Sequence, residues 1–96
     1  MIVIYGDLRV RAEKVASITQ LAGDFVALVH KEDGCIAYEL SWDVADPQRL
    51  RLLEHWVNDA CYEAHRVQPH VAQWAAAITA AQETRLVTTK LRATPR

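Results

Sequence analysis

Residues 2–10 alternate, with Ile2, Ile4, Leu8 and Val10 on one side and Tyr5, Asp7 and Arg9 on the other. A period of two predicts a strand with one buried face. Gly6 interrupts it, and a glycine inside a strand marks a bulge or a close approach of another backbone. Over residues 12–31 the period lengthens: Val15, Ile18, Ala22, Phe25 and Val29 form one apolar helical stripe, widened by Leu21 and Leu28. Asp33-Gly34 supplies a turn in which Gly34 is free to take positive φ. Residues 35–42 alternate again, Ile36, Tyr38, Leu40 and Trp42 against Cys35, Ala37, Glu39 and Ser41. After the Asp46-Pro47 turn comes a strand over about 49–56, with Leu50, Leu52, Glu54 and Trp56 sharing one face. Asn58 or Asp59 can cap a short helix reaching about Val67, and Pro69 suits the first turn of the next. That helix carries Val71, Trp74, Ala75 and Ile78 at core-facing spacing. A last strand is predicted over about 84–92, with Leu86 and Val87 pointing oppositely, and the tail from Ala93 is expected to fray.

The order is β-α-β-β-α-β with the second helical region split, an α+β chain of the ferredoxin-like kind. Its helices would cover one face of a four-stranded antiparallel sheet. The 96 residues fit a single domain, 1–96, with its core in about 2–92. The other sheet face would carry Leu53 and Val87 or Leu91, which water covers poorly. With 51% hydrophobic residues in so short a chain, a second copy is one way to hide that surface, so a homodimer is expected.

Charge narrows the partners. Eleven basic and twelve acidic residues nearly cancel, and no basic block stands out, so nucleic-acid binding is not expected. The apolar Met1–Ile4 run is too short for a signal or membrane segment; no membrane partner and a cytoplasmic location are expected. Cys35 and Cys61 do not make a disulfide framework and read as reduced thiols. Cys61 and His65 stand four apart on one helix face, but two ligands without two convergent partners do not make a zinc site, and no metal is expected. Neither a glycine-rich phosphate loop nor a nucleophile elbow occurs, so no cofactor is indicated.

One residue on the apolar faces stands out. Glu54 lies between Leu52 and Trp56; if buried, it needs a hydrogen-bond partner or a raised pKa. It reads either as a proton acceptor or anchor for a nearby histidine, or as a structural carboxylate with its own partner.

Three segments then point to a family. Gly34-Cys35-Ile36-Ala37-Tyr38-Glu39-Leu40, Glu54-His55-Trp56, and His65 followed by Pro69-His70 resemble, in order and spacing, the motifs of the antibiotic-biosynthesis-monooxygenase (ABM) domain family. The resemblance runs over roughly residues 2–92. It implies a dimeric α/β barrel, two sheets packed face to face, and a pocket in each protomer between helices and sheet. Some members are cofactor-independent monooxygenases of phenolic polyketides or quinols, others degrade haem, and many have no demonstrated activity; a fold does not determine chemistry. The leading expectation is a monooxygenase oxidising a phenolic, quinol or polyketide-like aromatic with O2. The alternatives are a dimeric small-molecule-binding protein without turnover and a haem-degrading enzyme. On that reading His65 is the base that removes a phenolic proton, since imidazole titrates near neutral pH, and Glu54 assists it. Trp56 lines the pocket or serves as a core aromatic; Tyr38, Tyr62 and His70 contact substrate, or satisfy their own polar groups or cap a helix. Asp7 joins the substrate-binding residues. It stands in the region where haem-degrading relatives use an asparagine, which weakens the haem reading. Trp74 is assigned to the core by its periodicity.

Overall fold

The computed structural model describes residues 1–96. Four strands, β1 (Ile2–Arg9), β2 (Cys35–Trp42), β3 (Arg49–Trp56) and β4 (Val87–Arg92), form one antiparallel sheet in the order β2-β3-β1-β4. Helices α1 (Val15–Val29), α2 (Asp59–Arg66) and α3 (Pro69–Ala81) lie on one face, and a 3-10 turn at Ala12–Lys14 leads into α1. This is the ferredoxin-like arrangement that the hydrophobic pattern predicts.

The register explains which residues meet. β3 is central, and Leu50, Leu52, Glu54 and Trp56 all point under the helices. Glu54 stands opposite Ile4 of β1 and Tyr38 of β2, and Trp56 opposite Ile2 and Cys35. Ile2, Ile4, Leu52, Trp56, Tyr38, Phe25 and Val29 pack as one core cluster; Leu8, Val10, Leu50, Ile18, Ile78 and Ala81 pack as another. Between them they hold sheet to helices, each buried aliphatic side chain contributing about 1.5–3 kcal/mol of transfer free energy.

Several local expectations change. A β-bulge between Cys35 and Ala37 leaves Ile36 unpaired. Cys35 therefore packs with the core while Ile36 is half exposed, reversing the assignment that alternation predicts. Leu21 and Leu28 do not widen the buried stripe of α1; both remain nearly half exposed. β4 begins at Val87, not Thr84, because Arg9 captures the preceding turn: its N–H donates to the Thr84 hydroxyl and its carbonyl accepts from the Glu83 and Thr84 amides. Gly6 marks a close approach, since a Cβ there would collide with the Val87 carbonyl of β4. Gly34 does adopt positive φ, 76°. A side chain there would also strike Cys61, so the glycine sets the distance between the β2 turn and α2. Asn58 is the helix cap, its side chain accepting from the Cys61 N–H at 2.9 Å. Ala93 is tied down by exchanging backbone hydrogen bonds with Met1.

Candidate active site

A cavity of about 310 Å³ lies between the sheet and the helices. It is lined by 19 residues, 13 of them hydrophobic, which suits a mostly apolar guest held by a few polar groups. Glu54, His65, Tyr38 and Tyr62 meet where α2 crosses the end of β3, and Arg66, Thr79, Gln82 and Thr88 complete the polar part of the lining.

Asn58 starts α2, so His65 falls on the turn that packs against the sheet, and only 4% of its surface stays exposed. Its ring lies on Trp56, centroids 4.7 Å apart, and near Tyr38 at 5.5 Å. Nδ1 is 2.9 and 3.2 Å from the two carboxylate oxygens of Glu32. Nε2 faces Glu54 Oε1 at 3.6 Å, beyond hydrogen-bond length. Glu32 also meets His70 Nε2 at 2.8 Å. A carboxylate can only accept, so each imidazole presents a protonated nitrogen to Glu32. In a neutral His65 ring that places the proton on Nδ1 and the lone pair on Nε2, the nitrogen turned toward Glu54 and the cavity. A carboxylate behind a histidine fixes its tautomer and orientation in this way in hydrolytic triads.

Glu54 is buried, and burial pushes its carboxyl above the ordinary range, opposed by the hydrogen bond from Trp56 and by the neighbouring His65. Trp56 Nε1 donates to Glu54 Oε1 at 3.0 Å. Burial, reinforced by Glu54 and Glu32, also drives the Tyr38 hydroxyl well above its usual value, so it remains a neutral donor at the cavity wall. Tyr62 is raised mainly by burial. No lysine or arginine pairs with Glu32 or Glu54; their partners are histidines, an indole N–H and each other's field.

The structure thus brings together four of the side chains singled out from sequence: His65, Glu54, Tyr38 and Tyr62 all line the cavity. The other three lie elsewhere. Trp56 is fully buried behind Glu54 and His65, where it positions both and forms no part of the wall. His70 opens α3 and turns its Nε2 to Glu32, outside the cavity. Asp7 projects from the opposite sheet face and pairs with Arg49 at 3.0 Å, because its strand parity is that of Tyr5 and not of Ile4. Two residues enter unforeseen. Trp74, assigned to the core, lines the cavity with its ring stacked on Phe25 at 5.0 Å. Glu32 lies in the Lys31–Gly34 turn, which reads as solvated, and no spacing in the sequence ties it to a histidine 33 positions on.

The sequence profile described as antibiotic biosynthesis monooxygenase matches residues 1–77. The chain belongs to the ABM family. Among solved structures, an antibiotic-biosynthesis-monooxygenase candidate from Deinococcus radiodurans is 30% identical, with a TM-score of 0.92 over 100% of this chain and 95% of that one. A further antibiotic biosynthesis monooxygenase shares 23% identity, TM-score 0.91, over 99% and 100%. A conserved protein from Methanosarcina mazei Go1 shares 22%, TM-score 0.91, over 97% and 92%; at these lower identities the agreement is one of fold. No curated protein matches the chain. In this ABM protein no helix is long and apolar enough to cross a membrane.

Proposed function

We propose that this ABM protein is a cofactor-independent monooxygenase of a small phenolic, quinol or polyketide-like aromatic. The reading rests on one observation above the others: a buried histidine whose Nδ1 is held by Glu32 turns its free nitrogen toward an apolar cavity. At about 310 Å³ the cavity is near the lower end of ordinary ligand sites, about 300–1,000 Å³, so the substrate is a compact ring system.

The chemistry follows from the placement. His65 Nε2 removes the phenolic proton, and the imidazolium so formed stands between Glu32 and Glu54, whose charges favour it. Tyr38, a neutral hydroxyl, can donate to the phenolate oxygen. The phenolate passes one electron to O2, and the phenoxyl radical and superoxide join through a new carbon–oxygen bond. The imidazolium returns its proton to the peroxide. Loss of the ring C–H proton at the oxygenated carbon and cleavage of the O–O bond release water and leave a quinone. The sum is one aromatic C–H and one phenol O–H plus O2 giving a quinone and water.

We further propose that the open sheet face is covered by a second copy. Tyr5, Leu53, Val87 and Leu91 there are between 37% and 72% exposed in the single chain. Light scattering is expected to give twice the 10.8 kDa chain mass, and Leu53→Glu to give a monomer. A wild-type monomer at micromolar concentration contradicts this.

Oxygen uptake with 1-naphthol or anthrone tests the activity. One O2 is consumed per quinone formed, and His65→Ala slows turnover by about 10²–10⁴-fold, the range of a positioned base. Undiminished turnover in His65→Ala removes the base. Saturable binding of the aromatics with no oxygen uptake supports instead a binding protein of the same fold.

A further inference from the structure

The cluster behind His65 has a second capacity. Glu32, His65 and His70 each offer one ligand atom, all three within 4.8 Å of one another. Two imidazole nitrogens and one carboxylate are the donor set of many transition-metal sites. The spacing also fits: ligands about 2.0–2.2 Å from an ion and at tetrahedral or octahedral angles lie about 3.0–3.4 Å apart. The Glu32 contacts to His65 and His70, 2.9 and 2.8 Å, need to open only by tenths of an ångström, while the two imidazole nitrogens, within 4.8 Å of each other, close on the ion by side-chain rotation.

Two further features favour an ion. The far N–H of a metal-bound histidine ordinarily donates to a carboxylate, a backbone carbonyl or water, and the far nitrogen of His65 faces Glu54 at 3.6 Å, a short movement from hydrogen-bond length. The cluster is also accessible from outside the fold. Glu32 and His70 line a surface groove together with Asn58, Cys61 and Gln68, separate from the cavity that His65 lines on its other side. An ion can arrive, and keep water on its open positions, without passing through the substrate cavity.

We propose that Glu32, His65 and His70 bind one divalent transition ion of the zinc or cobalt type. Neutral imidazole carries a single ring proton. An ion on Nδ1 of His65 moves that proton to Nε2, so the nitrogen facing the cavity becomes a donor. Occupancy then converts His65 from a base to a non-base while its position is unchanged. This consequence, unlike the binding itself, rests on His65 being the base of the proposed oxygenation.

Titration of chelator-treated protein with Zn2+ against a chromophoric indicator is expected to give one tight equivalent per chain. Co2+ is expected to show visible ligand-field bands of nitrogen–oxygen coordination, and Mg2+ and Ca2+ not to compete. Loss of an outer partner of a metal ligand costs about 10–100-fold in affinity, so His70→Ala and Glu32→Gln are each expected to weaken Zn2+ binding at least that much. His55→Ala serves as the control: His55 lies on the open sheet face with Nε2 3.0 Å from the Met1 sulfur, and its removal leaves the affinity unchanged. Thermal melts establish that each variant is folded. Zn2+ binding that His70→Ala and Glu32→Gln leave intact, or that His55→Ala abolishes, overturns the site. Where 1-naphthol is turned over, one equivalent of Zn2+ is expected to stop oxygen uptake and a chelator to restore it. Tight Zn2+ binding with full turnover upholds the metal site and contradicts the base.

Discussion

Helix α2 touches two clusters of charge, one at each end, and they are built on opposite principles. At its start Asp59 meets Lys90 at 3.0 Å and Arg92 at 2.7 Å, all three in solvent. At its end His65 sits between Glu32 and Glu54, each side chain no more than 10% exposed. The outer cluster pairs opposite charges and holds Asp59 below the ordinary carboxylate value, chiefly through its bond to Arg92 and then through Lys90. The inner one brings two carboxylates and two histidines together without a lysine or arginine, and burial drives Glu54 the other way. Exposed pairs of the first kind are common and contribute little, because solvent screens them. Burying carboxylates among polarisable rings costs stability and needs another reason to persist. The proposed base, its tautomer set from behind, would supply one.

Breaking the inner cluster at its anchor has the largest expected effect. Glu32→Gln keeps the shape but removes the charge that fixes His65, so turnover of 1-naphthol is expected to fall about 10²–10⁴-fold with little change in KM. An unchanged kcat would mean that Glu32 is only structural. Trp56→Ala comes next. It removes a fully buried ring and the donor to Glu54, at a cost of about 3–5 kcal/mol of unfolding free energy read by urea denaturation. A loss below about 1 kcal/mol would contradict the packing described.

The pH dependence sharpens the contrast because the two signs oppose. Glu54 is raised in the fold, so it contributes no penalty below its unfolded value; the penalty grows as pH rises toward the folded value and is full above it. Glu54→Gln, in chelator-treated protein, is therefore expected to gain stability over wild type as pH increases. Asp59 is lowered, so its contribution is present above the unfolded value of about 3.9 and disappears as pH falls through the folded one. Asp59→Asn is expected to lose stability relative to wild type at neutral pH, by far less than Trp56→Ala, and to match it in strong acid. Parallel pH trends for the two variants would erase the distinction.

The fold was largely legible from the chain. β2 and β3 begin and end where alternation places them, since a period of two with one buried face leaves little freedom of register. Failures came where one residue altered the ladder: the bulge at Ile36, and the turn bound to Arg9 that delays β4. The site was half legible. His65 and Glu54 stand on elements whose inward faces the pattern identifies, so their meeting follows from topology. Resemblance draws Asp7 to the site against its own strand parity, which places it with Tyr5 and Arg9 on the open face. Glu32 had no local signal at all: a glutamate in a polar turn looks like any solvated residue, and its burial arises only when α2 and α3 close over it.

The central claim is that Glu32 holds His65 as a neutral base with its free nitrogen toward the cavity. Long-range proton–nitrogen NMR of the His65 ring, on chelator-treated protein near neutral pH, measures this directly. The account predicts a proton on Nδ1 and a bare Nε2, an arrangement that Glu32→Gln weakens. A ring protonated on Nε2 alone, or on both nitrogens, would leave no lone pair facing the substrate and would contradict it.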